Sequence, residues 1–147
     1  MEDAERDMSK FRRQHKELMG LAGELMVLLE ADRVRARTQE VVVALARFSG
    51  RLKVHAAMEN EALYPRLFAD PDEAVQRIAR ALYAEVGDLY RVFDRHARRW
   101  MSAEAISADA ETFVNDTMEL IRLLGARMMR ENKELYPLVE SRASAPR

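Results

Sequence analysis

Apolar side chains recur along the chain at alternating steps of three and four, the spacing of amphipathic helices. Four such stripes can be traced. The first runs Phe11, His15, Leu18, Ala22, Leu25, Leu29, and the second Val41, Leu45, Phe48, Leu52, His55, Glu59, Ala62. The third runs Val75, Ile78, Leu82, Glu85, Leu89, Val92, His96. The fourth runs Phe113, Thr117, Leu120, Leu124, Arg127, Glu131, Glu134, Leu138. Helices with one apolar stripe must bury it against one another. Four of them joined by short connections pack as an antiparallel up-down-up-down bundle, so the expected fold class is all-α.

Breakers set the boundaries at about residues 5–30, 34–65, 70–101 and 109–139, with turns near residues 32, 70 and 105. At the second turn, Asp70 is placed to accept first-turn amides, Pro71 suits the first helical position, and Glu73 completes a capping box. Residues 102–108 read as a connector holding one helical turn, and residues 141–147 as a frayed tail. The whole of 1–147 is expected to form one domain, with its core at about residues 5–140. A repeat runs through it. Glu59-Asn60 with Leu63-Tyr64-Pro65 recurs as Glu131-Asn132 with Leu135-Tyr136-Pro137, an offset of 72 residues that aligns His55 with Arg127.

Composition narrows the function. With 24 basic and 25 acidic residues the formal net charge is -1, which offers no footprint for nucleic acid or an anionic membrane. The absence of Cys removes disulfides, thiolate ligands and cysteine nucleophiles. No apolar run is long enough to span a bilayer, and the charged N-terminal residues do not resemble a secretory signal. The expected location is the cytoplasm. No nucleophile–base pair, Gly-rich phosphate loop or HExxH zinc motif is present, so nothing argues for hydrolase or transferase chemistry.

The chemistry lies in the ionisable residues that interrupt the apolar stripes, because such groups are expensive to bury unless paired or coordinated. His55 and Glu59 sit one helical turn apart on one face, a pair suited to iron, manganese or zinc. Counting residues outward from the second turn sets Glu85 level with His55. The repeat places Arg127 and Glu131 at that level too. The same counting puts His96 well away from it, at the far end of the bundle beside Trp100. His15 joins only if the first connection is asymmetric. A buried hydrogen-bonded network without metal accounts for the same residues. The methionines Met19, Met58, Met128 and Met129 read as core filling. Tyr64 and Tyr136 read as closing the base of the bundle with their hydroxyls near solvent.

Taken together, Phe11-Arg12-Arg13-Gln14-His15, His55-Ala56-Ala57-Met58-Glu59 with Leu63-Tyr64-Pro65, and Arg130-Glu131-Asn132-Lys133-Glu134-Leu135-Tyr136-Pro137 resemble the hemerythrin-like, HHE cation-binding family. The resemblance covers about residues 11–139. It implies a four-helix bundle with a non-haem iron centre whose carboxylates bridge two irons, and it carries over metal ligands His15, His55, Glu59 and Glu131. Two positions depart from the pattern: Arg127 stands where the fourth helix supplies a His, and Glu85 stands in place of the third-helix His. Arginine stays protonated and is no metal ligand. One iron, or none, is therefore expected rather than two, with Glu85 an additional ligand and Arg127 pairing with Glu59, Glu85 or Glu131.

Three functions follow from the resemblance. The first is a metal-binding protein, not an enzyme, that senses or binds oxygen, nitric oxide or peroxide, or handles iron. The second is a metal-free bundle acting as a protein-interaction module. The third is a small redox or stress-repair enzyme. The sequence points to no particular protein partner.

Overall fold

The computed structural model describes residues 6–86 and 88–143. Residues 1–5 at the edge of the expected core and residues 144–147 of the expected tail lie outside them. The described residues are helical or in short connections, with no strand among them. The elements are α1 (Ser9–Leu28), α2 (Ala31–Ala36), α3 (Thr38–Met58), a π-helical turn π1 (Glu59–Leu63), α4 (Tyr64–Phe68), α5 (Glu73–Val86), α6 (Leu89–Arg99), α7 (Ala103–Ala108), α8 (Ala110–Arg130), a second π-helical turn π2 (Glu131–Leu135) and α9 (Tyr136–Ala143).

Successive long segments pair in opposite chain directions. Arg51 and Arg47 of α3 meet Glu17 and Glu24 of α1. Phe48 of α3 packs on Phe93 of α6 with ring centroids 5.2 Å apart, and Tyr90 bonds Glu59. His96 of α6 meets Thr117 of α8, while Glu85 of α5 meets Arg130.

The connections differ from the sequence expectation in three respects, each with a local cause. The first is not a simple turn but the short helix α2, whose free first amides are taken by the Glu30 carboxylate. At the second, the helix starts later than expected: Asp72 accepts from the Ala74 amide, whereas Asp70 accepts from Asp72 and is buried in an ion pair with Arg6 at 2.9 Å. The expected third helix is two helices, broken between Val86 and Leu89. The last helix runs through residues 141–143, the start of the expected tail.

The two π turns are the largest departure. Both begin at the Glu of the repeated motif and end just before Tyr-Pro. Proline lacks an amide hydrogen and its ring crowds the carbonyl four residues back. The helix relieves this by widening, so that the Tyr64 amide bonds Glu59 and the Tyr136 amide bonds Glu131, each five residues back. One extra residue in a turn rotates everything after it by about a residue's worth of phase. The expected inward positions Ala62 and Glu134 are accordingly exposed and Leu138 is only half-buried. Leu63, Tyr64, Leu135, Tyr136 and Val139 are buried instead.

The apolar interior falls into two parts. One contains Leu18, Leu52, Phe93, Phe113 and Leu124, and extends to Trp100 at the far end. The other contains Phe11, Leu63, Tyr64, Leu82 and Tyr136 around the prolines. Between them lies a layer of buried polar groups. Met128 and half-buried Met58 fill the interior near this layer, but Met19 and Met129 are exposed.

Candidate metal centre

Four side chains meet in that layer: His15 from α1, His55 from α3, and Glu59 and Glu131 at the start of the two π turns. All four are at most 2% exposed. One ligand atom from each lies within 4.8 Å of every other. His15 Nε2 is 3.1 Å from His55 Nε2, 3.5 Å from Glu59 Oε1 and 3.3 Å from Glu131 Oε1. His55 Nε2 is in direct contact with Glu59 Oε1.

The asymmetric first connection brings His15 into register. Because α2 lengthens it, the pairing of α1 with α3 is centred near residue 35 rather than 32, and His15 stands opposite His55.

The outer nitrogens of both imidazoles are spoken for. His15 Nδ1 donates to Asn132 Oδ1 at 2.8 Å, and His55 Nδ1 donates to Gln14 Oε1 at 2.5 Å. An amide oxygen can only accept, so each Nδ1 carries a hydrogen, and each Nε2, once free of any proton of its own, turns a lone pair inward. This is the arrangement that orients metal-binding histidines. Asn132 is in turn held by Arg12, which donates to its carbonyl at 3.1 Å and lies over the Tyr136 ring. Gln14 is held by a bond to Met58 Sδ.

The second oxygens of the carboxylates face the other way. Glu59 Oε2 accepts from Tyr90 at 2.9 Å and from Arg127 Nη2 at 3.1 Å. Glu131 Oε2 accepts from Tyr64 at 2.6 Å and lies 3.8 Å from Arg127 Nε. Arg127 is buried, with the Tyr90 ring 4.5 Å and the Tyr64 ring 5.6 Å from its guanidinium carbon. Each carboxylate thus bridges the histidine pair on one side and the guanidinium on the other.

Four convergent lone pairs require positive charge, and the titration of the cluster reflects this. Burial disfavours a charged His15, but Glu131 and Glu59 outweigh it and raise the imidazole to about 9. Burial opposes ionisation of Glu59 too, yet His15, His55 and Arg127 hold it well below the usual carboxylate range. Glu131 goes the other way, raised by burial and by the charge of Glu59. Burial also raises Tyr64, Tyr90 and Tyr136, helped by the neighbouring carboxylates, so all three remain neutral phenols. Arg127 stays charged: burial is outweighed by Tyr90, Glu59 and Glu131.

The donor set fits a divalent metal. A cation at roughly 2.0–2.2 Å from each donor sets adjacent donors about 3.0–3.5 Å apart, the spacing seen around His15 Nε2. Among the described residues Glu131 Oε1 is buried and accepts no hydrogen bond of good geometry. Beside two imidazole nitrogens such an oxygen is costly unless a proton or a metal cation lies between them.

A family model, Hemerythrin HHE cation binding domain, matches residues 7–139. The chain belongs to this family. No curated protein and no solved structure matches it. Among the described residues of this hemerythrin-domain protein, no helix is long and apolar enough to cross a membrane. The family and the buried His/Glu cluster together point to metal binding.

Of the five ligands expected from sequence, the structure brings four together and leaves one out. Glu85 is exposed and ion-paired with Arg130 on the outside of the bundle. Counting from one turn centre missed the residue added by π1 and the break between α5 and α6. The inward position opposite Glu59 falls to Tyr90 instead. Arg127 pairs with Glu59 and Glu131; its expected third partner, Glu85, is engaged elsewhere. His96 lies far from the cluster, bonded to Thr117 Oγ1 at 2.8 Å and packed on Phe113 and Trp100.

The tyrosines are a further correction. Tyr64 and Tyr136 are fully buried, with hydroxyls turned into the cluster rather than toward solvent. The Tyr136 hydroxyl lies 3.3 Å from His15 Nε2. The repeated Tyr-Pro was the available signal, because a proline in mid-helix announces a phase change. Gln14 and Asn132 lie inside the repeated and family-like motifs, but local sequence gave them no role, and nothing marked Tyr90.

Proposed function

We propose that this is a hemerythrin-like protein holding one non-haem iron between His15, His55, Glu59 and Glu131, which senses or binds oxygen, nitric oxide or peroxide. The observation that carries the proposal is the division of labour on the two carboxylates. Their Oε1 atoms meet the histidines. Their Oε2 atoms meet Arg127 and two tyrosine hydroxyls. Arg127 supplies a fixed positive charge on the side where the family pattern has a second iron, and a second divalent ion beside it would be repelled.

When bound, such an iron supplies a redox-active Lewis-acidic centre with the chain's four donors around it. The chain's own groups do the rest. Gln14 and Asn132 fix which imidazole nitrogen faces inward, Tyr64 and Tyr90 hold the carboxylates, and Phe11 and the flanking apolar clusters exclude water. The cluster is almost wholly inaccessible to bulk solvent. That favours a small exogenous ligand, a diatomic gas or peroxide, over an organic substrate. The placement of the function in the cytoplasm rests on the sequence alone.

One observation favours a second reading. His15 raised to about 9, with Arg127 opposite, lets the layer reach neutrality on protons and guanidinium alone. In that form the protein is a metal-free interaction module. Elemental analysis of protein purified without chelator decides between them. One iron per chain is the expected result; two sinks the single-site proposal, and none in iron-replete cells supports the module.

A further inference from the structure

Three tyrosine hydroxyls reach the buried polar layer, and two of them have settled partners. Tyr64 donates to Glu131 Oε2 at 2.6 Å and Tyr90 to Glu59 Oε2 at 2.9 Å. Neither oxygen is the one that meets the histidines, so a metal held by the Oε1 atoms leaves both bonds in place. Tyr136 differs. Its hydroxyl is 3.3 Å from His15 Nε2, the inward nitrogen, and this is its one hydrogen bond among the described residues.

The internal repeat shows why. Tyr64 and Tyr136 are equivalent positions of the two halves, and Tyr64 crosses to the carboxylate of the other half. The matching acceptor for Tyr136 is Glu59 Oε2, which Tyr90 and Arg127 already occupy. Tyr136 meets His15 instead. Its ring is fixed there by His15, with centroids 5.4 Å apart, by Phe11 at 6.2 Å and by the Arg12 guanidinium at 5.4 Å. The residue has no exposed surface, so bulk water cannot serve its hydroxyl.

A metal on His15 Nε2 ends this contact, whichever partner was the donor, because the nitrogen then carries neither a hydrogen nor a free lone pair. A buried hydroxyl left without a partner is costly. An ion about 2.0–2.2 Å from Nε2 is no more than about 5.5 Å from the hydroxyl, within the span of a two-atom ligand and one hydrogen bond. We propose that, when the centre is loaded, the Tyr136 hydroxyl turns from His15 and donates a hydrogen bond to the small ligand that the metal takes up. Tyr136 thereby selects ligands whose outer atom accepts a hydrogen bond, as in dioxygen, peroxide or nitric oxide. It is a positioning residue for that ligand and not a fifth metal ligand. The proposal rests on the single-metal reading above.

Tyr136→Phe is the direct test, because phenylalanine keeps the ring contacts with His15, Phe11 and Arg12 and removes only the oxygen. Zn(II) affinity is measured first, by chelator competition. The wild type should bind Zn(II), and the variant should bind it equally well or more tightly, since no ligand is lost and no bond to His15 has to break. Nitric oxide is then titrated anaerobically into the Fe(II)-loaded proteins, and the N–O stretching band is recorded in water and in deuterium oxide. The wild-type band should shift when the phenol proton is exchanged, and the variant's band should not. The variant's affinity for nitric oxide should fall about five- to tenfold, the weight of one buried hydrogen bond. Failure of the wild type to bind Zn(II) overturns the metal centre itself. With Zn(II) bound, a wild-type band indifferent to deuterium overturns the role of Tyr136 alone, and needs no variant to do so. A deuterium shift that persists in Tyr136→Phe also overturns it. Zn(II) binding weakened about tenfold or more in the variant, the scale of lost support to a metal, overturns the donor role in favour of a phenol ligand.

Discussion

Arg127 Nη2 lies 3.1 Å from Glu59 Oε2, on the carboxylate oxygen opposite the one that faces His55. A single carboxylate thus joins a histidine side and a guanidinium side across the middle of the bundle, and Glu131 repeats the arrangement. Two anions buried this deeply are tolerable only because each has a cationic or protonated neighbour on both faces.

Removing the guanidinium should therefore be severe. Arg127→Ala leaves Glu59 and Glu131 facing each other with one cation fewer, and the expected loss is roughly 3–5 kcal/mol, as for other buried charges stripped of a partner. Urea denaturation of the metal-free protein at pH 7 measures it. A loss below about 1 kcal/mol, the range of exposed ion pairs, would show that the guanidinium does not neutralise the layer.

Restoring the family's histidine should not by itself restore a second iron. Arg127→His removes the repelling charge, but Glu85 is outside the bundle and Tyr90 occupies the facing position. The single variant should still bind one metal per chain, and the double variant Arg127→His with Tyr90→His should bind two. Two metals in the single variant would mean that Tyr90 or another group ligates unaided.

The two buried histidine sites should separate cleanly. His55→Ala should abolish metal content. His96→Ala should leave metal content unchanged while lowering stability by about 1–3 kcal/mol, because it orphans Thr117 Oγ1 and opens a cavity against Phe113 and Trp100. Metal analysis paired with thermal melts distinguishes them, and equal metal loss in both would dissolve the assignment.

Outer contacts should tune affinity without contributing a ligand. Asn132→Leu and Gln14→Leu each free an Nδ1–H, and each should weaken metal binding about 10–100-fold, the usual cost of losing such support. Chelator competition with Zn(II) or anaerobic Fe(II) gives the number. Wild-type affinity in both variants would show that packing alone orients the rings.

Proton linkage should oppose metal linkage. His15 is raised to about 9 in the folded chain. Its stabilising contribution is fully present below its unfolded value near 6.5 and is lost as pH rises through about 9. Glu59 is depressed, so its contribution is present above about 4.5 and is lost as pH falls below that. Glu131, raised in the fold, acts in the same direction as His15, so the cluster of the metal-free protein should weaken as pH rises from about 6.5 toward 9. A metal must displace the His15 proton, so metal-induced stabilisation should grow over that same upper range. Melting curves with and without Zn(II) at pH 6, 7.5 and 9 check both signs, and a metal-free protein that gains stability toward pH 9 would contradict them.

Sequence by itself determined the all-α class, the polar intruders on the apolar stripes and the equivalence of His55 with Arg127. Periodicity, breakers and a repeat are local properties of the chain, and each survives folding with little change. What they could not carry was phase across an irregularity. The π turns ahead of Pro65 and Pro137 rotated Tyr64 and Tyr136 into the cluster and Ala62 and Glu134 out of it. The helix break before Leu89 and the turn geometry set Tyr90, not Glu85, against Glu59. Conversely, the inserted helix α2 drew His15 level with His55, which counting from a simple turn had left a few residues short. Only the tertiary structure decided these, because a side chain's depth and facing depend on every residue's rise and rotation summed from the turn. One added residue shifts that sum by about 100° and 1.5 Å, enough to exchange a ligand for a surface charge.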